Sequence, residues 1–201
     1  VLEALGGAPE AAPQPLGEGD VREALRGARE RLGVGGEVIE LHKSGKTAAA
    51  AAQALGKPVE RVVKSIGVLI SEGGRGGGGE VELTPVLLLM GGEQRASLPA
   101  VARHLGVTRR AVRMATAAEC VSVFGYPPGS MPPIGHRRAV RTLMDQSAHG
   151  RAGPGEVLYA GAGSPDGMVA LTAGDMALAA GAELVCLDVE AAAAAAPPAP
   201  A

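Results

Sequence analysis

Apolar positions recur along the chain with two spacings. In DVREALRGARERLG, Val21, Leu25, Ala28 and Leu32 share one face of a predicted helix from Asp20 to about Leu32, with Asp20 as cap and Gly33 as stop. EVIEL (37–41) reads as a short strand, and TAAAAAQAL (47–55) as a helix capped by Thr47 and ended by Gly56. VERVVKSIGVLI (59–70) passes from a helical turn into a strand, and VLLLM (86–90) is a buried strand ending at Gly91-Gly92. LPAVARHLG (98–106) predicts a helix, TRRAVRMA (108–115) a further turn or helix, and Thr116 and Glu119 have capping-box spacing before CVSVFG. AVRTLMD (139–145), EVLYAGAG (156–163) and MVALT (168–172) read as strands; Thr172 with Asp175 caps a last helix, and ELVCLD (183–188) reads as a closing strand. Strands and short helices interleave with too few crossover helices for a doubly wound sheet. The expected class is α+β, a mixed, mostly antiparallel sheet with helices packed on it.

The chain reads as one domain over residues 19–190, with residues 1–18 a linker or processed remnant and 191–201 a disordered tail. SEGGRGGGGE (71–80) reads as a flexible hairpin or insertion. Apolar residues make up 46% of the chain, yet it has no Trp, one Phe and two Tyr, so Val, Leu, Ile and Ala must fill the core. No apolar run is long enough to span a membrane, which predicts a cytoplasmic protein, with an organellar location left open. Cys120 and Cys186 suit neither a disulfide framework nor a metal site, and no metal or cofactor is expected.

Net charge is −2, unlike a generally basic nucleic-acid binder. Its distribution is uneven. Eight arginines (95, 103, 109, 110, 113, 137, 138, 141) stand against one acid, Glu119, between positions 95 and 141. Such a local excess suits a partner presenting a few phosphates at one place.

Three motifs come close to known signatures and miss. ELHKSGKT (40–47) ends like a phosphate-binding P-loop, but Glu40 stands where the first glycine belongs. GAGSPDG (161–167) follows a strand as a dinucleotide fingerprint would, yet Asp166 takes the third glycine position and a strand follows instead of a helix. SLPAVARHLGVTRRAVRMA (97–115) has the outline of a DNA-reading helix-turn-helix, but apolar strands flank it on both sides.

The remaining conspicuous segment is GYPPGSMPPIGHRR (125–138). Its four prolines exclude a helix interior or a central strand and make it a stiff loop. Lys64 stands among residues that call for burial, where a strand could hold it in a cleft.

Read in order, TAAAAAQALG, RVVKSIGVLI, VLLLMGGEQRASLPAVARHLG, GYPPGSMPPIGH, TLMD and YAGAGSPDGMVALTAGDM resemble the YbaK-type aminoacyl-tRNA deacylases. This editing-domain family is related to the insertion domain of bacterial prolyl-tRNA synthetases, and the resemblance spans roughly residues 20–188. It implies a curled, barrel-like mixed sheet and hydrolysis of the ester joining a wrong amino acid to a tRNA 3′ end. By position, Lys64 is the implied functional lysine, Gly129 through Pro133 the loop over the aminoacyl group, and Asp145 with the Gly161/Gly163 turn the rest of the cleft. The implied partners are the acceptor end of an aminoacyl-tRNA and an aminoacyl-tRNA synthetase. The chain departs from the family pattern in its Gly-Ser-Met-Pro-Pro loop, its 73–79 glycine insertion, and the lack of acidic residues after Thr47.

The chemistry follows. Ester hydrolysis passes through an oxyanion best stabilised by fixed N–H donors. Prolines 127, 128, 132 and 133 stiffen the loop and confine donation to Gly129, Ser130, Met131, Ile134 and Gly135. Ser65, Ser130, Cys120 and Cys186 lack a recognisable base, so the expectation is direct attack by water, with the terminal ribose hydroxyl available to assist. Lys64 is expected to hold the terminal phosphate or developing anion, Ser130 and Met131 to contact substrate, and His136 and Asp145 to orient. Met131, Ile66, Val68 and Leu171 are the expected pocket lining. Arg109, Arg110, Arg137 and Arg138 are expected to meet the tRNA. The alternatives are a non-catalytic relative that binds tRNA or a synthetase, and a DNA-binding regulator using residues 97–115.

Overall fold

The computed structural model describes residues 13–43, 45–71, 82–150, 153 and 155–187. The expectations for the 73–79 insertion, the 191–201 tail and most of the first 18 residues lie outside these. Eight strands form one sheet: β1 (Glu37–Glu40), β2 (Val62–Ser71), β3 (Leu83–Gly91), β4 (Val112–Met114), β5 (Arg141–Asp145), β6 (Val157–Gly161), β7 (Gly167–Thr172) and β8 (Glu183–Val185). The order is β1-β7-β6-β2-β3-β5-β8, with β4 also paired to β2. Pairings β1–β7, β6–β7, β2–β3 and β2–β4 are antiparallel; β2–β6, β3–β5 and β5–β8 are parallel. The sheet is therefore mixed and mostly antiparallel, as expected. It does not close: β1 and β8 end the path, so the barrel-like expectation gives way to an open sheet.

Among the described residues the helices are α1 (Glu18–Leu32), α2 (Ala48–Leu55), α3 (Leu98–Leu105), α4 (Ala117–Glu119), α5 (Gln146–Gly150) and α6 (Ala173–Ala180), all but α4 packing on the sheet. Alternation along β2 assigns its residues to two faces. Val63 and Leu69 join the larger core with Val21, Leu25 and Ala28 of α1 and Met176 of α6. Val68 and Ile70 pack with Val101 and Ala102 of α3, and Val62 with Ala51 and Ala52 of α2. Phe124, the single phenylalanine, lies on Gly67, where a Cβ would come within 2.7 Å of its ring.

Two local expectations are corrected. α1 begins at Glu18, and Asp20 caps from inside, its carboxylate accepting the Gly17 N–H at 2.8 Å. Residues 108–115 supply no second helix; a 3₁₀ turn over Arg109–Ala111 leads into β4, which pairs with β2. Pairing with Val68–Ile70 satisfies this backbone better than an isolated helical turn could, and it removes the helix-turn-helix. The Thr116–Glu119 capping box is present, and α4 continues as a π-helical turn over Cys120–Phe124.

The proline loop is tied down at several points. The Ser130 N–H donates to the Pro127 carbonyl at 3.2 Å, with Pro128 and Gly129 (φ +87°) between them, the residue pattern of a type II turn. Ser130 in turn accepts the Gly163 N–H at 2.9 Å, and a Cβ on Gly161 would lie 2.9 Å from the Met131 carbonyl oxygen. The loop's exit is fastened by the Tyr126 hydroxyl donating to the Gly135 carbonyl at 2.7 Å and His136 Nδ1 donating to Phe124 O at 3.1 Å. The His136 ring meets Phe124 and Tyr126 edge-on, and Nε2 is buried toward the Pro132 carbonyl without a well-formed hydrogen bond.

Burial pulls the His136 imidazole below its ordinary value despite the Phe124 and Pro132 carbonyls. The unfolded imidazole therefore binds a proton that the folded one refuses. Stability should fall as pH drops through about 6.5, and His136→Asn should flatten that slope in urea titrations at successive pH values. Gly161→Ala should lower stability by about 1–3 kcal/mol, read by urea unfolding, because the loop backbone must move to admit the methyl group.

Candidate active site

The long strand β2 has a full partner on only one side. β3 pairs with it from Val63 to Ser71, whereas the opposite edge is shared: β6 takes Val62 and Val63, and β4 takes Val68 to Ile70. On that edge, between β6 and β4, no strand among the described residues pairs with Lys64, Ser65 or Ile66. A cavity of about 380 Å³ opens at this split, within the roughly 300–1,000 Å³ typical of small-ligand sites. β2 contributes Val62 to Ile66 to its wall, the proline loop Gly129 and Met131, the end of β6 Gly161, and the turn after β3 Gly92.

Lys64 is half-buried here, and its ammonium donates to the carbonyls of Gly92 at 3.2 Å and of Gln94. Two carbonyl dipoles stabilise the cation and fix its position. Ser65, its neighbour, has a buried hydroxyl without a hydrogen-bond partner among the described residues. Gly129 is close to the opposite wall, since a Cβ there would sit 2.9 Å from the Lys46 carbonyl oxygen.

Lys64, Gly129, Met131, Gly161 and Ile66 thus meet at one cavity. Other expected site residues do not. Ser130 is buried and committed to the loop's own turn and to Gly163, so of the expected loop donors only Gly129 and Met131 belong to residues that line the cavity. Gly163 (φ +89°) supports rather than lines, because a Cβ would strike Gly17 and Tyr126 at 2.8 Å. Pro132 is buried behind the cavity wall, while Pro133 and His136 border a separate cleft beside α1. Val68 and Leu171 are fully buried in the core.

Asp145 lies at the end of β5, two strands from β2 and so about 10 Å across the sheet. It is buried and accepts from Ser147 N–H at 2.9 Å, Gln94 Nε2 at 3.0 Å and Leu187 N–H at 2.7 Å. Burial alone would raise its carboxyl, but hydrogen bonds from Ser147, Leu187 and Gln94 outweigh this and hold it below the ordinary value. It does not face the cavity.

The arginines are likewise dispersed. Arg109 and Arg110 adjoin β4, whose partner Ile70 is six residues from Lys64, about 20 Å along the strand. Arg109 donates to Val112 O at 2.9 Å, Arg113 pairs with Glu119 at 2.6 Å, and Arg141 with Glu183 at 2.8 Å. Arg137 donates to Gln14 O, and Arg138 borders the α1 cleft.

The cavity has a wall that sequence reasoning missed: Gly45, Lys46, Thr47, Ala48, Ala51 and Met168. The signal was the GKT at 45–47, set aside as a failed P-loop. Its loop is tied to the other near-miss motif, with Leu41 N–H donating to Asp166 O at 2.6 Å and Gly45 N–H to Pro165 O at 2.7 Å. Thr47 then caps α2 by accepting from Ala50 N–H at 3.1 Å. Lys46 and Lys64 give the cavity two cations, and none of its lining residues among those described is acidic. Cys120 is no nucleophile: it is buried in the core, which pushes its thiol up.

A walled cavity lined by two lysines and by the rigid backbone at Gly129 and Met131 suits an electrophilic carbonyl beside a phosphate. A structure of a protein proposed as a trans-editing enzyme for prolyl tRNA synthetase superposes with a TM-score of 0.66 at 30% identity, over 84% of this chain and 96% of that one. A hypothetical protein at 22% identity has the same fold, with a TM-score of 0.67 over 82% of this chain and 98% of its own. Proline–tRNA ligase of Burkholderia mallei is 36% identical over 104 residues, 49% of this chain but 16% of the ligase. The corresponding ligase of Burkholderia thailandensis is 35% identical over the same length. The chain thus spans about one sixth of these curated relatives. The aminoacyl-tRNA editing domain profile matches residues 42–177, from the loop before α2 to the middle of α6, and the chain belongs to that family.

Proposed function

We propose that this protein is a trans-acting aminoacyl-tRNA deacylase that removes a small, wrong amino acid from tRNA(Pro). The observation that carries this reading is Lys64, fixed by two carbonyls at the split of β2 and facing the Gly129–Met131 segment across one cavity. The family and the trans-editing neighbour supply the substrate class.

In this reading the aminoacyl ester enters with its carbonyl oxygen toward the N–H groups of Gly129 and Met131. Water attacks the carbonyl carbon, the bond to the ribose oxygen breaks, and the proton given up by water passes to that oxygen. The products are a free amino acid and a tRNA with its terminal hydroxyl restored. No side chain forms a covalent bond. The protein's part is position and charge, enough for an activated ester. Lys64 stabilises the terminal phosphate or the developing anion, and Lys46 attracts the backbone at the mouth. Ala48, Ala51, Val62 and Met168 give the amino acid an apolar, close-fitting surround. Such a pocket separates side chains by about 1–3 kcal/mol per methylene, and the walls set the upper size that fits. The synthetase and the arginines at 109, 110, 137 and 138 belong to docking of the wider tRNA, since these arginines do not line the cavity.

Deacylation of Cys-, Ala- and Ser-tRNA(Pro) by wild type and Lys64→Ala tests the reading. Wild type should release at least one amino acid rapidly, and Lys64→Ala should be slower by about 100-fold or more. Equal, negligible release by both with tRNA binding intact would make the protein a binding module instead. Lys46→Ala should weaken tRNA binding and flatten its salt dependence by about one phosphate contact, measured as the slope of log affinity against log salt.

A further inference from the structure

Lys64 is held by a turn that is itself held from behind. The Gly92 and Gln94 carbonyls that accept from its ammonium belong to the segment following β3. The Gln94 side chain folds back under that segment. Its Oε1 accepts the Gly91 N–H at 2.6 Å, and its Nε2 donates to Asp145 Oδ1 at 3.0 Å and to Ser147 Oγ. Glycine at 91 makes this possible, since a Cβ there would lie 2.6 Å from Gln94 Oε1. Gly92 is equally constrained, because a Cβ would meet Ala48 at 2.8 Å and the Val59 carbonyl at 2.9 Å.

The anchor beneath Gln94 is rigid. Gln94 is 5% exposed and Asp145 1%. Asp145 Oδ1 also accepts from Ser147 N–H at 2.9 Å and Ser147 Oγ at 2.5 Å, and Oδ2 from Leu187 N–H at 2.7 Å. These bonds join the end of β5, the start of α5 and the segment after β8 to the wall of the cavity. A buried amide so fully engaged has one orientation, and rotating it would leave the Gly91 amide or the Asp145 carboxylate short of a partner.

We propose that Gln94, anchored by Asp145, is a positioning residue that sets the place of the Lys64 ammonium through the carbonyls of the 92–94 turn. Asp145 thereby acts on the site without entering it. The inference rests on Lys64 being the functional cation of the proposed deacylase, and it adds how that cation is held.

The test uses Gln94→Met, close in volume and without amide chemistry; Asp145 keeps its bonds from Ser147 and Leu187. The first readout needs no tRNA: competitive labelling of Lys64 with acetic anhydride, read by mass spectrometry of its peptide in protein shown to be folded by circular dichroism. Lys64 reactivity should change by about threefold or more, and kcat for mischarged tRNA should fall about 10–100-fold with KM moving less than about threefold. Ser147→Ala, which removes the hydroxyl shared by Gln94 and Asp145, should shift both readouts the same way by less, and it decides the matter if Gln94→Met does not fold. Lys64 labelling unchanged in a folded variant overturns the proposal whatever happens to stability, as does shifted labelling with unchanged kcat. If wild type deacylates nothing, the functional reading fails by itself and labelling alone decides whether Gln94 places Lys64.

Discussion

The divided edge of β2 is the constraint on which the site depends. A ten-residue strand in the middle of a sheet would ordinarily be paired on both sides throughout. Here β6 runs parallel to its first residues and β4 antiparallel to its last, and the two do not meet. At this interval the backbone of Lys64, Ser65 and Ile66 forms part of the cavity wall. The cavity is enclosed by loops with rigid backbones: prolines on one side, and on the other the 41–47 segment pinned to the turn at Pro165–Asp166. A cavity bounded this way keeps its shape without a ligand, so little ordering entropy has to be spent on binding.

Backbone contacts rather than side-chain catalysis dominate the geometry. Gly129, Gly161 and Gly92 each bring the wall within a distance that a methyl group would obstruct, from the Lys46, Met131 and Val59 carbonyls respectively. The lysine is similarly held by main-chain oxygens. This accords with membership of the aminoacyl-tRNA editing domain family, whose sequence profile runs through all of these elements. It also explains why the chain can carry alanines after Thr47 where acidic residues were expected: Ala48 and Ala51 pack at the cavity wall, and Ala48 lies against Gly92.

Buried polar groups divide into two kinds. Asp145, Gln94 and Ser147 form a connected network in which hydrogen bonds outweigh the cost of burial. His136 is a fastener for the loop's exit, wedged between aromatic edges and backbone carbonyls at the expense of its charged form. Both residues had drawn attention as orienting groups, and both turn out to hold the cavity's walls from outside.

Periodicity and punctuation in the sequence determined most of the elements. Apolar runs placed β2, β3 and β7, Thr47 and Thr172 marked the starts of two helices, and Pro128-Gly129 dictated a tight turn. These are local rules, read from neighbours a few residues apart. Lys64 and the proline loop also stood out, because a charge amid apolar residues and four prolines in a row of loop positions are locally anomalous. Tertiary structure alone decided what meets what. The basic run from Arg95 to Arg141 spread over several surfaces, because strands β4 and β5 carry its members to different parts of the sheet. Within residues 108–115, read as a turn or helix by local pattern, the turn at Arg109–Ala111 is present, and Val112–Met114 became β4 because a free edge of β2 was there to pair with. The Gly45–Thr47 wall, the Gln94–Asp145 bond and the exclusion of Asp145 from the cavity all depend on contacts between distant parts of the chain, which no local spacing encodes.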